Sequence, residues 1–232
     1  MPPSLSLSEQ LVHCTVRIEV ESSNGAKGTG TGFFYRFAVR GDKHVPAIVT
    51  NKHVVEAAQR GRFHVTLADD EGNPNYGHPE IYSFDRFSQF WVPHPDAEID
   101  LCAMPIAPLL MAAESAKKRP FYIPIDRNLI PTESKLADMT AMEDITMVGY
   151  PNGIWDEKHN MPALRRGVTG TQIVRVGRPL RSKIEARNTV IEMRSPGRTT
   201  APLTIHWSER LPEGLRRAAW SGVRFSAPNP CS

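Results

Sequence analysis

The residues with the clearest chemical potential are a histidine and an aspartate, His53 and Asp100, which lie 47 positions apart. His53 follows an apolar stretch at residues 47–50 and begins a short predicted helix, so its imidazole should sit at the rim of a sheet. A ring held rigidly there can act as a general base. Asp100 is the last carboxylate before an apolar strand, where it could accept a hydrogen bond from imidazole Nδ1 and stabilise the imidazolium. Taken singly, these residues also fit a surface histidine and an acidic turn.

The elements that must position this pair are predicted to be short β-strands. Residues 11–20 alternate roughly between apolar and polar and are rich in Val, Ile and Thr, which predicts a strand. Further strands, bounded by turn signals, are predicted at residues 33–37, 45–50, 63–67, 81–84, 101–104 and 144–150. Helices are predicted only at residues 51–60 and 112–118. Many short strands separated by turn signals favour an all-β barrel or sandwich over alternating βα units.

Four sequence segments resemble, in order and spacing, the motifs of trypsin-like serine peptidases. They are Gly-Thr-Gly-Thr-Gly-Phe-Phe at 28–34, Ile-Val-Thr-Asn-Lys-His-Val-Val at 48–55, Glu-Ile-Asp-Leu-Cys at 98–102 and Met-Val-Gly-Tyr-Pro-Asn-Gly at 147–153. The likeness is to the bacterial, HtrA-like side of the family and covers roughly residues 11–171. It implies a pair of six-stranded antiparallel β-barrels with the active site in the cleft between them. It also implies that His53 is the general base, that Asp100 orients it, and that a polypeptide substrate is hydrolysed by acyl transfer without a metal or organic cofactor.

The nucleophile of that family is the point of departure. It sits in a Gly-x-Ser-Gly motif, whose backbone N–H groups form an oxyanion hole, and no such motif occurs in the sequence. Ser195 is the best-placed candidate because it follows Asp100 by 95 residues. Its neighbours fit poorly, since Met193 and Pro196 stand where glycines are expected. Ser182, Ser208 and Ser221 fit less well.

A change of composition coincides with this departure. Residues 1–170 hold 17 Lys and Arg against 21 Asp and Glu, whereas residues 171–232 hold 11 against 4, with ten arginines and no aspartate. The stretches 171–176 and 188–193 could still form strands, but the remainder shows no sustained period. We therefore divide the chain into a peptidase domain at 1–171, with an incomplete second barrel, and an Arg-rich tail at 172–232 that is weakly ordered or frame-shifted. The coding DNA would test this hypothesis, because another frame should then encode Gly-x-Ser-Gly near codon 171.

Two other functions stay open at this level: a non-catalytic peptidase-like module that binds peptides or a partner, and an inactive, truncated gene product. Other site classes are disfavoured. The glycine-rich run opens a strand rather than a helix, unlike a dinucleotide-binding loop. His64, His78, His94 and His159 lack metal-ligand spacing. The Arg-rich tail has no interleaved aromatic platform and no recognisable nucleic-acid-binding motif.

The cellular location is inferred from what the sequence lacks. Three cysteines, Cys14, Cys102 and Cys231, include no CxxC pair, which argues against a disulfide framework or a zinc ribbon. The sequence contains no run of 18 apolar residues and no basic, apolar leader. We therefore expect a cytoplasmic protein with no membrane partner, and the oligomeric state stays undefined.

Overall fold

A computed structural model describes residues 5–132, 134, 138, 144–151, 154–168 and 191–192. Ser195 and the other three candidate serines lie outside the described residues. So does the tail at 172–232 apart from residues 191–192, and its weak order stays a prediction. The strands are β1 Thr15–Ser22, β2 Lys27–Arg40, β3 Lys43–Thr50, β4 Ala58–Ala68, β5 Pro74–Asp85, β6 Val92–Pro93, β7 Cys102–Pro105, β8 Asp144–Gly149, β9 Trp155–Asp156, β10 Met161–Val168 and β11 Ile191–Glu192. The α-helices are α1 Leu7–His13, α2 Lys52–Val55 and α3 Ala107–Ser115, with 3-10 turns at Phe87–Phe90 and Arg127–Leu129.

Most of the described chain is antiparallel β-sheet, as the all-β prediction requires. Seven strands form one sheet in the order β5-β4-β1-β2-β3-β7-β6, and four form another in the order β11-β8-β10-β9. Among the strands that the structure describes, no pairing joins the outer strands β5 and β6, so the sheet is not closed. The double barrel therefore stays a prediction.

The sheet is buried on both faces where β2 and β3 pair. Phe34 lies opposite Ile48, and both belong to a core that also contains Phe63 and Phe87. The flanking residues of β2 point the other way and form a second core with Val49 and Ala103. Because side chains alternate between the faces of a strand, a continuous apolar run such as 33–37 can contribute to both cores.

The first predicted strand is wrong at its beginning. Residues 7–13 are helical, and the strand starts only at Thr15. A capping box explains the helix: the Ser6 side chain accepts a hydrogen bond from the backbone of Glu9, and the Glu9 carboxylate accepts one from the Ser6 backbone at 2.7 Å. The prediction was wrong at residues 11–14 because the apolar residues there fit the period of a helix as well as the period of a strand.

Both predicted helices have different bounds. The helix predicted at 51–60 ends at Val55, because residues from Ala58 onward pair with β1 and β5 instead. The helix predicted at 112–118 spans Ala107–Ser115, with Pro108 in its first turn, where proline is tolerated. The predicted strands at 33–37, 45–50, 63–67, 81–84, 101–104 and 144–150 occur, most of them longer than expected. The possible strand at 171–176 lies outside the described residues, and of 188–193 the structure describes only the short strand Ile191–Glu192. Within the described ranges, no helix has the length and apolar character needed to cross a membrane.

Candidate active site

Strand pairing brings His53 and Asp100 together at the same end of two neighbouring strands, β3 and β7. β3 and β7 are antiparallel, with Thr50 opposite Cys102. The residues that follow β3 therefore lie beside the residues that precede β7. His53 is in the single turn of α2, and Asp100 is in the loop that leads into β7.

The two side chains form a hydrogen-bonded pair. Nδ1 of His53 lies 2.5 Å from Oδ2 of Asp100, and the backbone N–H of His53 donates to Oδ1 at 3.1 Å. Because a carboxylate oxygen accepts but does not donate, the hydrogen belongs on Nδ1. The neutral ring then carries its lone pair on Nε2, which makes no hydrogen bond within the described part of the chain. The imidazole is 43% exposed and the carboxylate 21%, so Nε2 is available to a reacting group.

The residues around α2 fix this arrangement. The amide of Asn51 donates to the backbone carbonyl of Asp100 at 2.7 Å, and the ammonium of Lys52 donates to the carbonyl of Asp96 at 3.0 Å. Both contacts attach the loop at residues 96–100 to the segment that carries His53. The pair is thus held through the backbone as well as through its own side chains.

The glycine-rich motif has a packing role within β2. A Cβ atom on Gly30 would lie 2.5 Å from Val54 of α2, and one on Gly32 would lie 2.7 Å from Ile48. Non-bonded atoms do not approach this closely. The helix α2 that carries His53 therefore packs directly against the backbone of β2 at Gly30. The motif lies in a strand rather than before a helix, which agrees with the argument against a phosphate-binding loop.

The last of the four motifs also contacts this region. The backbone N–H of Tyr150 donates to Oγ1 of Thr31 at 2.8 Å, and Oγ1 of Thr50 donates to the carbonyl of Thr31 at 2.9 Å. Gly149 permits the contact, because a Cβ there would lie 2.8 Å from Thr31 Oγ1. The structure therefore brings together all four segments that carry the resemblance.

Neither of the two cysteines that the structure describes is suited to be a nucleophile. Cys102 is 2% exposed, and its Sγ donates to the carbonyl of Thr50 at 3.6 Å. Burial, with a further contribution from the Asp100 carboxylate, raises the pKa of the Cys102 thiol far above its usual range. Burial also raises the pKa of Cys14 to about 12. Since the thiolate is the reactive form, these buried cysteines are inert near neutral pH.

Sequence reasoning missed two polar features. His159 Nδ1 lies 2.7 Å from Asp156 Oδ2, and its backbone N–H donates to Oδ1 at 3.1 Å, which repeats the contacts of the first pair within one turn. The spacing of three residues was the available signal. Asn51 was the other omission, and its signal was its position before a helix. Ser195 lies outside the described residues. The described residues contain no cluster of three potential metal ligands.

The fold and the site thus define a mostly antiparallel β protein with a histidine–carboxylate pair at the end of two neighbouring strands. No family model and no curated protein matches the chain. Solved structures that it resembles include one described as "Structure of GrC", with a TM-score of 0.37 and 13% sequence identity over 70% of this chain and 61% of that one. The chain spans less than two thirds of that protein's length. A likeness at this level assigns neither family nor activity, so the resemblance to trypsin-like peptidases stays a prediction.

Proposed function

We propose that this protein is a trypsin-like serine endopeptidase in which His53 is the general base and Asp100 orients it. The observation that carries the proposal is the double contact between them, from Nδ1 and from the backbone N–H of His53 to the two carboxylate oxygens. The proposal includes the trypsin-like double barrel, with the seven-stranded sheet contributing to the first barrel. It also includes a cytoplasmic location and a polypeptide substrate.

The proposed reaction uses the tautomer derived above. Nε2 of His53 removes the proton of a serine hydroxyl as its oxygen attacks the scissile carbonyl, and Asp100 stabilises the imidazolium that forms. Nε2 then gives this proton to the leaving amine, the carbon–nitrogen bond breaks, and an acyl-enzyme remains. Water attacks the ester by the same proton transfers, releasing the acid and restoring the serine.

The nucleophile in this proposal is Ser195. Among the described residues no serine hydrogen bonds to His53, and Ser195 lies beyond the described ranges. The absence of Gly-x-Ser-Gly from the sequence favours a second candidate function. In that alternative, the same β scaffold binds peptides without turning them over.

A covalent probe separates the two functions. The full chain is treated with a fluorophosphonate, and the labelled residue is found by mass spectrometry. The peptidase proposal expects one labelled serine, loss of labelling in both His53→Ala and Ser195→Ala, and cleavage of peptides from a mixed library. His159→Ala is the matched control, because it breaks a similar pair elsewhere and should label normally. Absence of labelling from a folded chain that still binds library peptides would support the non-catalytic module instead.

A further inference from the structure

Asn51 occupies the N-cap position of α2 but does not cap the helix. Asparagine at this position usually accepts a hydrogen bond from the first turn, whereas the Asn51 side chain makes no such bond. Its amide Nδ2 instead donates to the carbonyl of Asp100 at 2.7 Å, across 49 positions of sequence. The residue is 5% exposed. A strong N-cap residue has therefore been turned away from its own helix and toward the segment that carries the carboxylate.

The position of Asp100 makes this contact important. Asp100 lies two residues before the point at which the regular pairing of β7 with β3 begins, at Cys102. The two hydrogen bonds from His53 reach the Asp100 carboxylate, which can rotate about its side-chain bonds. The Asn51 contact reaches the backbone carbonyl, which cannot rotate in this way. It therefore fixes the point from which the carboxylate extends.

We propose that Asn51 is the positioning residue of the candidate active site: its amide holds the backbone of Asp100 so that the carboxylate meets both His53 N–H groups. The catalytic consequence rests on the proposed function, whereas the effect on the His53–Asp100 hydrogen bond does not. Catalysis depends steeply on such placement, since a displacement of about 1 Å can cost on the order of 100-fold in rate.

A merely structural role for Asn51 predicts something different. The protein contains a comparable buried asparagine, Asn160, which is 7% exposed and whose Nδ2 donates to the carbonyl of His64 at 3.1 Å. Removing either amide takes a hydrogen bond from a buried backbone carbonyl, which should lower stability in both cases. Only the removal of Asn51 should alter the pair.

The test combines proton NMR with peptide hydrolysis on the full chain. Asn51→Ser retains a favourable N-cap residue but removes the amide that donates to the Asp100 carbonyl. Asn51→Ala removes both the N-cap residue and this amide. Asn160→Ala is the control. The readouts are the downfield His53 Nδ1 proton signal and the separate values of kcat and KM. We expect both Asn51 variants to weaken or lose the signal and to lower kcat roughly 10- to 100-fold with little change in KM, while Asn160→Ala preserves all three.

Each outcome decides a different point. An undiminished His53 signal in folded Asn51→Ser would overturn the positioning role, as would an equal loss in Asn160→Ala. If the wild-type protein shows the signal but hydrolyses no peptide, the proposed function fails. The NMR comparison then still decides the role of Asn51. If Asn51→Ala does not fold, Asn51→Ser provides the answer.

Discussion

Thr31 and Thr50 are joined by a hydrogen bond from the Thr50 hydroxyl to the Thr31 carbonyl, 2.9 Å long. The Thr31 hydroxyl in turn accepts from the backbone N–H of Tyr150 at 2.8 Å. Thr50 is fully buried and ends the strand that leads to His53. Thr31 therefore connects the candidate active site to the end of β8 in the second sheet.

Replacing Thr31 with valine tests this connection. Thr31→Val keeps the shape of the side chain but removes the acceptor for the Tyr150 N–H, and Tyr150 is only 3% exposed. An unsatisfied buried donor costs about 1–3 kcal/mol, so the free energy of unfolding in urea should fall by that amount. Thr29→Val is the control, since Thr29 lies on the same strand and is exposed, and it should change stability by less than about 0.5 kcal/mol. Equal effects of the two substitutions would show that the Tyr150 contact is unimportant.

Asp100→Asn should abolish most of any peptidase activity. An amide at this position cannot stabilise the imidazolium, and it favours the wrong ring tautomer. We expect kcat to fall on the order of 10⁴-fold, measured with a peptide that the wild-type protein cleaves. Asp96→Asn provides the control from the same loop, because an asparagine oxygen can still accept the Glu98 N–H that Asp96 accepts at 2.9 Å. Comparable losses in both variants would argue against a specific role for Asp100.

Gly61→Ala should destabilise the core. A Cβ atom at Gly61 would lie 2.2–2.4 Å from ring atoms of Phe87, which is fully buried. The ring has to shift, and overpacking of this kind costs about 1–3 kcal/mol. Gly167→Ala is the matched control on another strand, where a Cβ meets nothing within 4 Å. Thermal unfolding of both variants tests the prediction, which would be wrong if Gly61→Ala were as stable as the control.

The free energy of unfolding should decrease as the pH falls from about 6.5 to about 4. Burial lowers the pKa of His13 from 6.5 to about 4, although the Glu9 carboxylate raises it in part. Because the unfolded chain binds this proton at higher pH than the folded chain, acidification across that interval favours unfolding. The contribution of His13 is at most about 3 kcal/mol and is smaller to the extent that water screens the ring. Burial also lowers the pKa of His64, despite opposition from Glu19, so His64 acts in the same direction.

Urea unfolding at several pH values measures this effect. His13→Phe removes the titrating group while retaining an aromatic ring beside Phe121, whose centroid lies 4.8 Å from that of His13. The variant should show a smaller loss of stability between neutral pH and pH 4. His94→Gln would control for the loss of a histidine elsewhere. A pH dependence that is unchanged in His13→Phe would contradict the assignment to His13.

Much of the fold could be predicted from local pattern. Short apolar segments between turn signals located most strands of the large sheet, because a strand that is buried on one or both faces needs such residues. Alternation failed as a signal at residues 11–13, where the capping box of Ser6 and Glu9 starts a helix instead. The helix predicted at 51–60 was too long, since the pairing of Ala58 and its neighbours with other strands outweighed their helix propensity.

The amino-acid sequence established which chemical groups the chain carries and that no Gly-x-Ser-Gly motif accompanies them. It also indicated, through the order of four short motifs, that a histidine and an aspartate should meet. How they meet follows from the three-dimensional fold, because their contact depends on the register of β3 against β7 and on the amide of Asn51. Register is a property of two distant segments, so no local pattern in either segment determines it.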